Sequence, residues 1–150
     1  MAHNISALIA KAPIDLEAAR QLDLPVFVQN GFVIVALYDR HVDFWTQKLG
    51  MESRALSEII LDFPVVHEFA RRLGMDRYAL IETDYFGGMG SQRAAAYCVA
   101  DPQMEAEIGS INAALARIGV ERAAGKDEFD TIGLADHRSF SDLFKKYWDL

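Results

Sequence analysis

The residues of this chain that could do chemistry are concentrated in the stretch Tyr78–Val99. Glu82 and Asp84 are carboxylates separated by one residue, and such a pair can exchange protons with a substrate if burial separates their pKa values. Arg93 follows a loop with three glycines in four positions, where backbone amides and a guanidinium could together bind an anion. The stretch therefore contains candidates for acid–base chemistry and for anion binding.

The glycine loop, residues 86–92, has two interpretations. An anion-binding loop is normally followed by a helix and often by a lysine, and neither GxxxxGK[ST] nor GxGxxG occurs here. The residues after the loop favour a strand, so we favour a connecting turn. We predict a positive φ at Gly87 or Gly88. The candidate ligand- or partner-binding residues in and beside the loop are Asp84, Tyr85, Gly87, Gly88, Gln92 and Arg93.

A second unusual stretch, residues 127–134, places Asp127, Glu128 and Asp130 around the apolar Phe129. The spacing of its glycine and glutamate does not fit an EF-hand loop. The pattern is typical of a capped turn whose apolar residues dock on a sheet, because aspartate readily caps turns. Alternatively, the three carboxylates form an acidic surface for a basic partner, with Phe129 either docked in the core or serving as a contact anchor.

The other reactive residue types lack partners at useful spacings. None of the four histidines has a second ligand at a metal-site spacing, and HExxH and GxSxG are absent. Cys98 is the only cysteine, so a disulfide within the chain and a thiolate metal cluster are excluded. His67 is expected on the solvent-facing side of a helix. We therefore predict no catalytic residue, no metal and no cofactor.

An enzyme remains the alternative. It requires a cleft that joins residues of the glycine-loop stretch with a residue from near the C-terminus, so that a carboxylate pair can do acid–base work. The residues of that cleft would be Glu82, Asp84, Tyr85 and Arg93 with His137 or Arg138.

The composition, 51% hydrophobic and 25% charged, is that of a soluble globular protein, and the length of 150 residues fits one domain, residues 1–150. The net charge of −7 argues against non-specific nucleic-acid binding, which needs a basic surface, and is compatible with a basic protein partner. The N-terminus lacks the basic and apolar regions of a signal peptide. The longest apolar run, Phe32–Tyr38, is too short to span a bilayer, so we expect a cytoplasmic protein without membrane contact.

Two hairpins are predicted to position the candidate residues. Asn30-Gly31 separates the apolar runs Val26–Gln29 and Phe32–Tyr38, and Asn-Gly favours a two-residue hairpin turn in which both positions have a positive φ. The second run is apolar on both faces, which places it inside the sheet. Tyr78–Val99 forms the second hairpin. Ile5–Ala12 is ambiguous, because its apolar spacing also suits a helical turn.

Helical periodicity and capping residues predict the elements that cover the sheet. Asp15 is expected to cap a first helix, and Ser110 to cap a helix that ends at Gly119, although the apolar spacing continues back to Met104. Further helices are predicted over Asp39–Gly50, Arg54–Phe63 and Val66–Leu73, and from Ser139 onward. The predicted fold is a single α+β domain with a mainly antiparallel sheet built from the two hairpins and helices packed against it.

Two segments, YFGGMGSQ at Tyr85–Gln92 and DEFDTIGLADHRS at Asp127–Ser139, resemble small bacterial proteins, among them immunity proteins of toxin–immunity systems. The resemblance implies a compact acidic protein that binds and blocks a cognate toxin. We therefore expect a non-enzymatic protein-binding module, and an immunity protein as its particular form.

The alternative function is a small-molecule-binding protein or an enzyme with its site beside the Tyr85–Arg93 loop. A concave pocket in which Asp84, Gln92 and Arg93 converge would favour this alternative. An exposed acidic patch without a deep pocket would favour protein binding.

Overall fold

The computed structural model describes residues 2–87, 89–108 and 110–149, with residues 101–108 described through their backbone. The strands are β1 (Ser6–Lys11), β2 (Val26–Gln29), β3 (Phe32–Leu37), β4 (Arg77–Phe86), β5 (Met89–Cys98) and β6 (Asp101–Ile108). They form a six-stranded sheet in the order β2-β3-β1-β4-β5-β6, and each neighbouring pair is antiparallel. The predicted α+β class with a mainly antiparallel sheet is confirmed.

Strand β1 lies between β3 and β4 and so joins the two hairpins into one sheet. Its central residues, Ala7–Ala10, are buried. A short run that is buried on both faces shows no alternation of polar and apolar residues, so periodicity cannot separate a strand from a helical turn. The ambiguity of Ile5–Ala12 has this cause, and pairing with two antiparallel neighbours decides it in favour of a strand.

The first predicted hairpin is confirmed. Asn30 and Gly31 form the turn between β2 and β3 with φ angles of 52° and 79°, and Gln29 pairs with Phe32 across it. β3 pairs with both β2 and β1 and is buried along its whole length, as its continuous apolar run predicts.

Helices cover both faces of the sheet. Asp15 caps the first helix by accepting a hydrogen bond of 3.0 Å from the backbone N–H of Ala18, as predicted. The helix predicted from Ser139 onward is a 3₁₀ helix in the structure. The helices are α1 (Leu16–Gln21), α2 (Asp39–Lys48), α3 (Pro64–Arg72), α4 (Ile111–Arg117) and α5 (Glu128–Thr131), with 3₁₀ helices at Leu134–Asp136 and Ser141–Tyr147.

The helix predicted over Arg54–Phe63 is wrong, because residues 51–63 form neither a helix nor a strand. The backbone N–H of Leu56 instead donates to the carbonyl oxygen of Asp62 at 2.8 Å, which closes the segment into a loop. Ile59 is buried in the core, whereas Leu56 and Ile60 are exposed, so the apolar spacing does not correspond to one buried helical face. Tertiary contacts have overridden the local periodicity.

The helical pattern that continues back to Met104 is also wrong. Asp101–Ile108 forms β6, an edge strand that pairs with β5. A spacing of four residues places two residues on one face of a helix, but it also places them on one face of a strand. The prediction of α4 itself is confirmed, since Ser110 accepts a hydrogen bond of 3.5 Å from the backbone N–H of Ala113 and Gly119 follows with a φ of 99°.

Two hydrophobic cores lie on opposite faces of the sheet. One is formed with α1, α2 and α3 and includes Leu8 and Leu80. The other is formed with α4 and the segments after it and includes Ile9 and Ile81. Adjacent strand residues therefore enter different cores, as the twofold alternation of a strand requires. Where these two cores cover the sheet, side chains pack on both faces of the hairpin β4–β5.

Candidate functional site at the end of the central hairpin

The hairpin β4–β5 extends beyond the strand that supports it. The pairing of β1 with β4 begins where Ser6 lies opposite Glu82. Beyond that point, the backbone N–H of His3 donates a hydrogen bond of 2.9 Å to the carbonyl oxygen of Tyr85. This division gives the hairpin two parts with different surroundings. The inner half is Arg77–Ile81 with Ala94–Cys98, and the outer half is Glu82–Phe86 with Met89–Arg93.

Polar side chains of the outer half alternate between two clefts on opposite sides of the hairpin. On β4, Glu82 and Asp84 line one cleft and Tyr85 lines the other. The paired strand repeats the pattern, with Arg93 in the first cleft and Gln92 in the second. The candidate residues of this stretch are therefore divided by the hairpin and do not converge in one pocket.

Glycine determines the shape of the hairpin turn. Gly87 has a φ of 59°, which confirms the predicted positive φ in this loop, whereas Gly88 lies outside the described residues. Gly90 has the stricter requirement, because a Cβ atom there would lie 1.8 Å from the carbonyl oxygen of Asp84. The two strands of the outer half can approach this closely only with glycine at residue 90.

The first cleft, which we call the acidic cleft, has a volume of about 400 Å³ and is lined by the carboxylates of Asp39, Glu82 and Asp84. Glu82 is buried and accepts hydrogen bonds from the Ile60 backbone N–H at 3.0 Å and from Arg93 at 3.1 Å. Asp84 is exposed, and its side chain has no hydrogen-bond partner among the described residues. The exposed charge of this cleft is therefore mainly negative.

The second cleft, which we call the aromatic cleft, has a volume of about 390 Å³. It brings together the two stretches that the sequence analysis singled out, because Tyr85 and Gln92 share it with Asp127 and Phe129. Phe129 is half-buried and packs against the core, with its ring centroid 5.5 Å from that of His3. Phe129 thus docks on its own protein while part of its ring lines the cleft.

Hydrogen bonds hold the walls of the aromatic cleft in place. Gln92 donates to the Tyr85 hydroxyl oxygen at 2.9 Å and accepts from a backbone N–H of α4 at 2.8 Å. On the opposite wall, Asn112 donates to Asp127 at 3.1 Å and accepts from the Phe129 backbone N–H at 2.8 Å. The cleft is therefore preformed by side chains whose positions are fixed.

The three carboxylates around Phe129 have different roles. Asp127 caps α5 by accepting from the Asp130 backbone N–H at 2.9 Å, and this bond is the main cause that holds the pKa of Asp127 below its usual value. Glu128 is buried, and the hydrogen bond donated by Arg122 at 2.7 Å lowers its pKa. Asp130 is exposed. The segment thus presents one fully exposed carboxylate rather than three.

The tip of the hairpin exposes apolar side chains. Phe86 and Met89 lie directly opposite each other across the turn, and each is 80% exposed. Single exposed apolar residues are common, but two of them adjacent on a projecting element form a patch. Aromatic residues and methionine are also enriched at protein–protein contacts.

A cluster of polar side chains lies against the inner half, and the sequence analysis missed it. Asp62 is fully buried. It accepts hydrogen bonds from Ser57 at 2.6 Å, from His67 at 2.6 Å and from Tyr97 at 2.5 Å. The other ring nitrogen of His67 lies 2.5 Å from the Tyr78 hydroxyl oxygen. We call these five residues the buried polar cluster.

The charges of the buried polar cluster follow from its hydrogen bonds. Burial acts to raise the pKa of Asp62, but hydrogen bonds from His67, Ser57 and Tyr97 outweigh it and leave the pKa below its usual value. Burial is the main cause of the raised pKa of Tyr97 and of Tyr78, and Asp62 adds to both. Asp62 is therefore a charged acceptor among neutral hydroxyl donors. The solvent-facing position predicted for His67 is wrong, since its side chain is only 12% exposed.

The residues of the enzyme alternative do not come together in one cleft. His137 packs on Phe27 with ring centroids 4.4 Å apart, and Arg138 lines the aromatic cleft, on the other side of the hairpin from Arg93. Within the described ranges, no three His, Cys, Asp or Glu side chains are arranged to hold a metal ion. No helix in the same ranges has the length and apolar character needed to cross a membrane.

Fold and site together define an α+β protein whose antiparallel sheet is covered on both faces and whose central hairpin separates two clefts. In comparisons with protein-family models, with curated proteins and with solved structures, nothing matches this chain. The geometry of the hairpin and its surroundings is therefore the basis for a functional proposal.

Proposed function

We propose that this protein is a protein-binding module that contacts a basic partner through the outer half of the hairpin. The observation that carries the proposal is the pair Phe86 and Met89, which are directly opposite each other and 80% exposed at the tip of a projecting element. Apolar anchors of this kind supply most of the affinity at protein interfaces, because their burial removes apolar surface from water.

Charge beside the tip supports a basic partner. Asp84 is exposed two residues before Phe86 and lines the mainly negative acidic cleft, and the chain has a net charge of −7. Exposed carboxylates contribute mainly to the rate of encounter with a cation-rich surface rather than to affinity. The apolar tip and the neighbouring charge therefore have complementary roles in the proposed contact.

An immunity protein is the particular form of this function that we propose, and it rests on the resemblance of Tyr85–Gln92 and Asp127–Ser139 to that class. The partner would then be a toxin that the chain blocks by binding. A direct test expresses the captured partner in cells with and without this chain. Growth that is restored by the wild type, and not by a chain with an altered hairpin tip, is the expected result.

The binding test compares two variants with the wild type in affinity capture from a lysate of the source organism. Phe86→Ser/Met89→Ser removes the apolar tip. Leu16→Ser is the matched control, because Leu16 is also exposed but lies on α1. We expect the double variant to lose affinity for the captured partner by about tenfold or more and the control to retain it. Retention of the partner by the double variant would contradict the proposed contact.

A second experiment compares the hairpin with the α5 segment as the site of contact with the partner. Asp84→Lys and Asp130→Lys each reverse one exposed charge, and association rates with the captured partner are measured at low and at high salt. We expect Asp84→Lys to slow association more than Asp130→Lys, and the difference to shrink at high salt because ions screen exposed charges. If Asp130→Lys slows association more than Asp84→Lys, the partner binds the surface around Asp130 and not the hairpin.

A further inference from the structure

The amide and carboxylate oxygens of Gln92, Asn112 and Asp127 in the aromatic cleft each have a partner within the protein. The Gln92 carbonyl oxygen accepts from the Ile111 backbone N–H, and the Asn112 carbonyl oxygen accepts from the Phe129 backbone N–H. A backbone N–H can only donate, so both bonds also fix which amide atom is oxygen and which is nitrogen. Asp127 uses one carboxylate oxygen on a backbone N–H and the other on Asn112.

Donors remain in the same cleft. The Tyr85 hydroxyl oxygen accepts from Gln92, which leaves its hydrogen without a hydrogen-bond acceptor among the described residues. Each amide NH₂ group carries two hydrogens, and Gln92 and Asn112 each have one nitrogen–acceptor bond in the described structure. Arg138 is exposed and makes a long contact of 3.5 Å with a backbone carbonyl oxygen. The cleft therefore offers unused donors from Tyr85, Gln92, Asn112 and Arg138, whereas each of the acceptors named above already has a partner.

The remaining lining is mixed. His3 and Thr83 are hydrogen-bonded to each other at 2.7 Å, and the other ring nitrogen of His3 lies 3.1 Å from the Leu134 carbonyl oxygen. The ring of Phe129 and the side chains of Ile111 and Ala135 line the cleft beside the polar groups. The volume of about 390 Å³ lies at the lower end of the range of small-molecule sites, which is about 300–1,000 Å³. Such a site suits a small molecule with an apolar body and hydrogen-bond acceptors at one end.

We propose that the aromatic cleft binds a small organic carboxylate whose apolar body packs on Phe129. Its carboxylate would accept from the Tyr85 hydroxyl and from the Arg138 guanidinium, since charge-assisted bonds from arginine to a carboxylate are the strongest of these donors. This site lies on the opposite side of the hairpin from the acidic cleft and does not include Phe86 or Met89.

Asp127 is the group that opposes an anionic ligand. Its two oxygens are occupied by the Asp130 backbone N–H at 2.9 Å and by Asn112 at 3.1 Å, and Arg122 interacts with it electrostatically. These contacts offset its charge locally, whereas Arg138 is exposed and has no carboxylate partner among the described residues. The cleft is therefore able to accept one further negative charge beside Arg138.

The test is a titration of the full chain followed by NMR of backbone amides, with benzoate, phenylacetate and hexanoate as probes. Benzamide and benzylamine are the neutral and cationic controls of matched size. We expect saturable shifts from the acids at the cleft residues and weaker binding of both controls. Arg138→Gln should weaken benzoate binding by about tenfold or more, and Tyr85→Phe by about two- to tenfold.

Arg20→Gln is the control variant, because Arg20 is an exposed arginine on α1 and does not line the aromatic cleft, and it should leave benzoate binding unchanged. Absence of saturable shifts with all three acids, equal affinity for benzamide and benzoate, or an unchanged affinity in Arg138→Gln would each overturn the proposal. The partner-capture experiment changes neither Arg138 nor Tyr85, so the two proposals can fail separately.

Discussion

The inner and outer halves of the β4–β5 hairpin belong to one continuous ladder but have opposite surroundings. In the inner half, Tyr78–Ile81 and Ala94–Ala96 are buried between two cores. In the outer half, Asp84 and the tip residues Phe86 and Met89 are exposed, and a cleft lies on each side. β1 pairs with β4 as far as Glu82, and the backbone of Ile5 and His3 continues this pairing to Thr83 and Tyr85. Phe86 and Met89 project beyond it, which leaves the end of the hairpin exposed.

The polar groups of the two halves differ in the same way. Tyr78 and Tyr97 of the inner half have their hydroxyl groups bonded to other residues of the buried polar cluster. In the outer half, the buried Glu82 is satisfied in the same way. Asp84, however, has no side-chain partner within the described ranges, and the hydroxyl hydrogen of Tyr85 has no acceptor there. Buried polar groups must be satisfied internally or they destabilise the fold, whereas unsatisfied groups at a surface are available for binding. We therefore assign the inner half to stability, and the exposed end of the outer half is where we propose that a partner binds.

The largest expected effect is the loss of Asp62. Asp62→Ala removes the acceptor that Ser57, His67 and Tyr97 share, and leaves buried donors without a partner. We expect the free energy of unfolding to fall by about 3–5 kcal/mol. Urea unfolding measures it, with Asp84→Ala as the control from the outer half, where we expect a change within about 0.5 kcal/mol. Equal losses in both variants would refute the difference between the halves.

A smaller effect is expected from adding one methyl group to the outer half. Gly90→Ala would place a Cβ atom 1.8 Å from the Asp84 carbonyl oxygen, so the two strands must separate there, at a local cost of about 1–3 kcal/mol. Amide hydrogen exchange should show faster exchange in the outer half and unchanged exchange at Leu80 and Ala95. Faster exchange throughout the hairpin would show that the two halves open as one unit.

The free energy of unfolding should fall at acidic pH because Asp62 becomes protonated. The pKa of Asp62 in the folded protein lies below its ordinary value of 3.8, so the unfolded chain binds this proton more readily than the folded protein does. The resulting stability is present above about pH 4 and is lost as the pH falls through the folded pKa, at about 1.4 kcal/mol for each unit of difference. Unfolding free energies measured from pH 2 to 6 should depend less steeply on pH in Asp62→Asn. An unchanged slope would show that Asp62 titrates normally.

The smallest effect on stability is expected at the tip. Phe86→Ser/Met89→Ser changes side chains that are 80% exposed, so the free energy of unfolding should change by less than about 0.5 kcal/mol. The same variant should lose its partner, which separates binding from stability. A loss of several kcal/mol in urea unfolding would instead assign the tip a structural role.

The sequence predicts the parts of this fold that depend on local signals. The Asn30-Gly31 turn and the Asp15 and Ser110 caps are confirmed, since each depends on the backbone preference of one or two residues. The positive φ in the glycine loop is confirmed at Gly87 for the same reason.

Features that depend on distant contacts are not predictable in this way. The helix predicted over Arg54–Phe63 includes Asp62, and helical periodicity gives no sign of a buried carboxylate there. Asp62 instead turns into the core, because His67 and Tyr97 supply the donors that a buried carboxylate needs. These partners are five and 35 residues away, and neither spacing indicates a contact.

The candidate site is predictable only in part. Alternation along β4 separates Glu82 and Asp84 from Tyr85, and this division is visible in the sequence. That Tyr85 shares a cleft with Phe129 depends on the second core, which brings α5 beside the outer half. The ion pair between Arg122 and Glu128 is likewise a tertiary contact, which the sequence of this polar loop does not indicate.

Amide hydrogen exchange with and without the captured partner tests the central claim most directly. We expect binding to slow exchange in the outer half, around Asp84–Phe86 and Met89–Arg93, and to leave exchange in the inner half unchanged. Slower exchange around Asp127–Asp130 with no change in the outer half would contradict it.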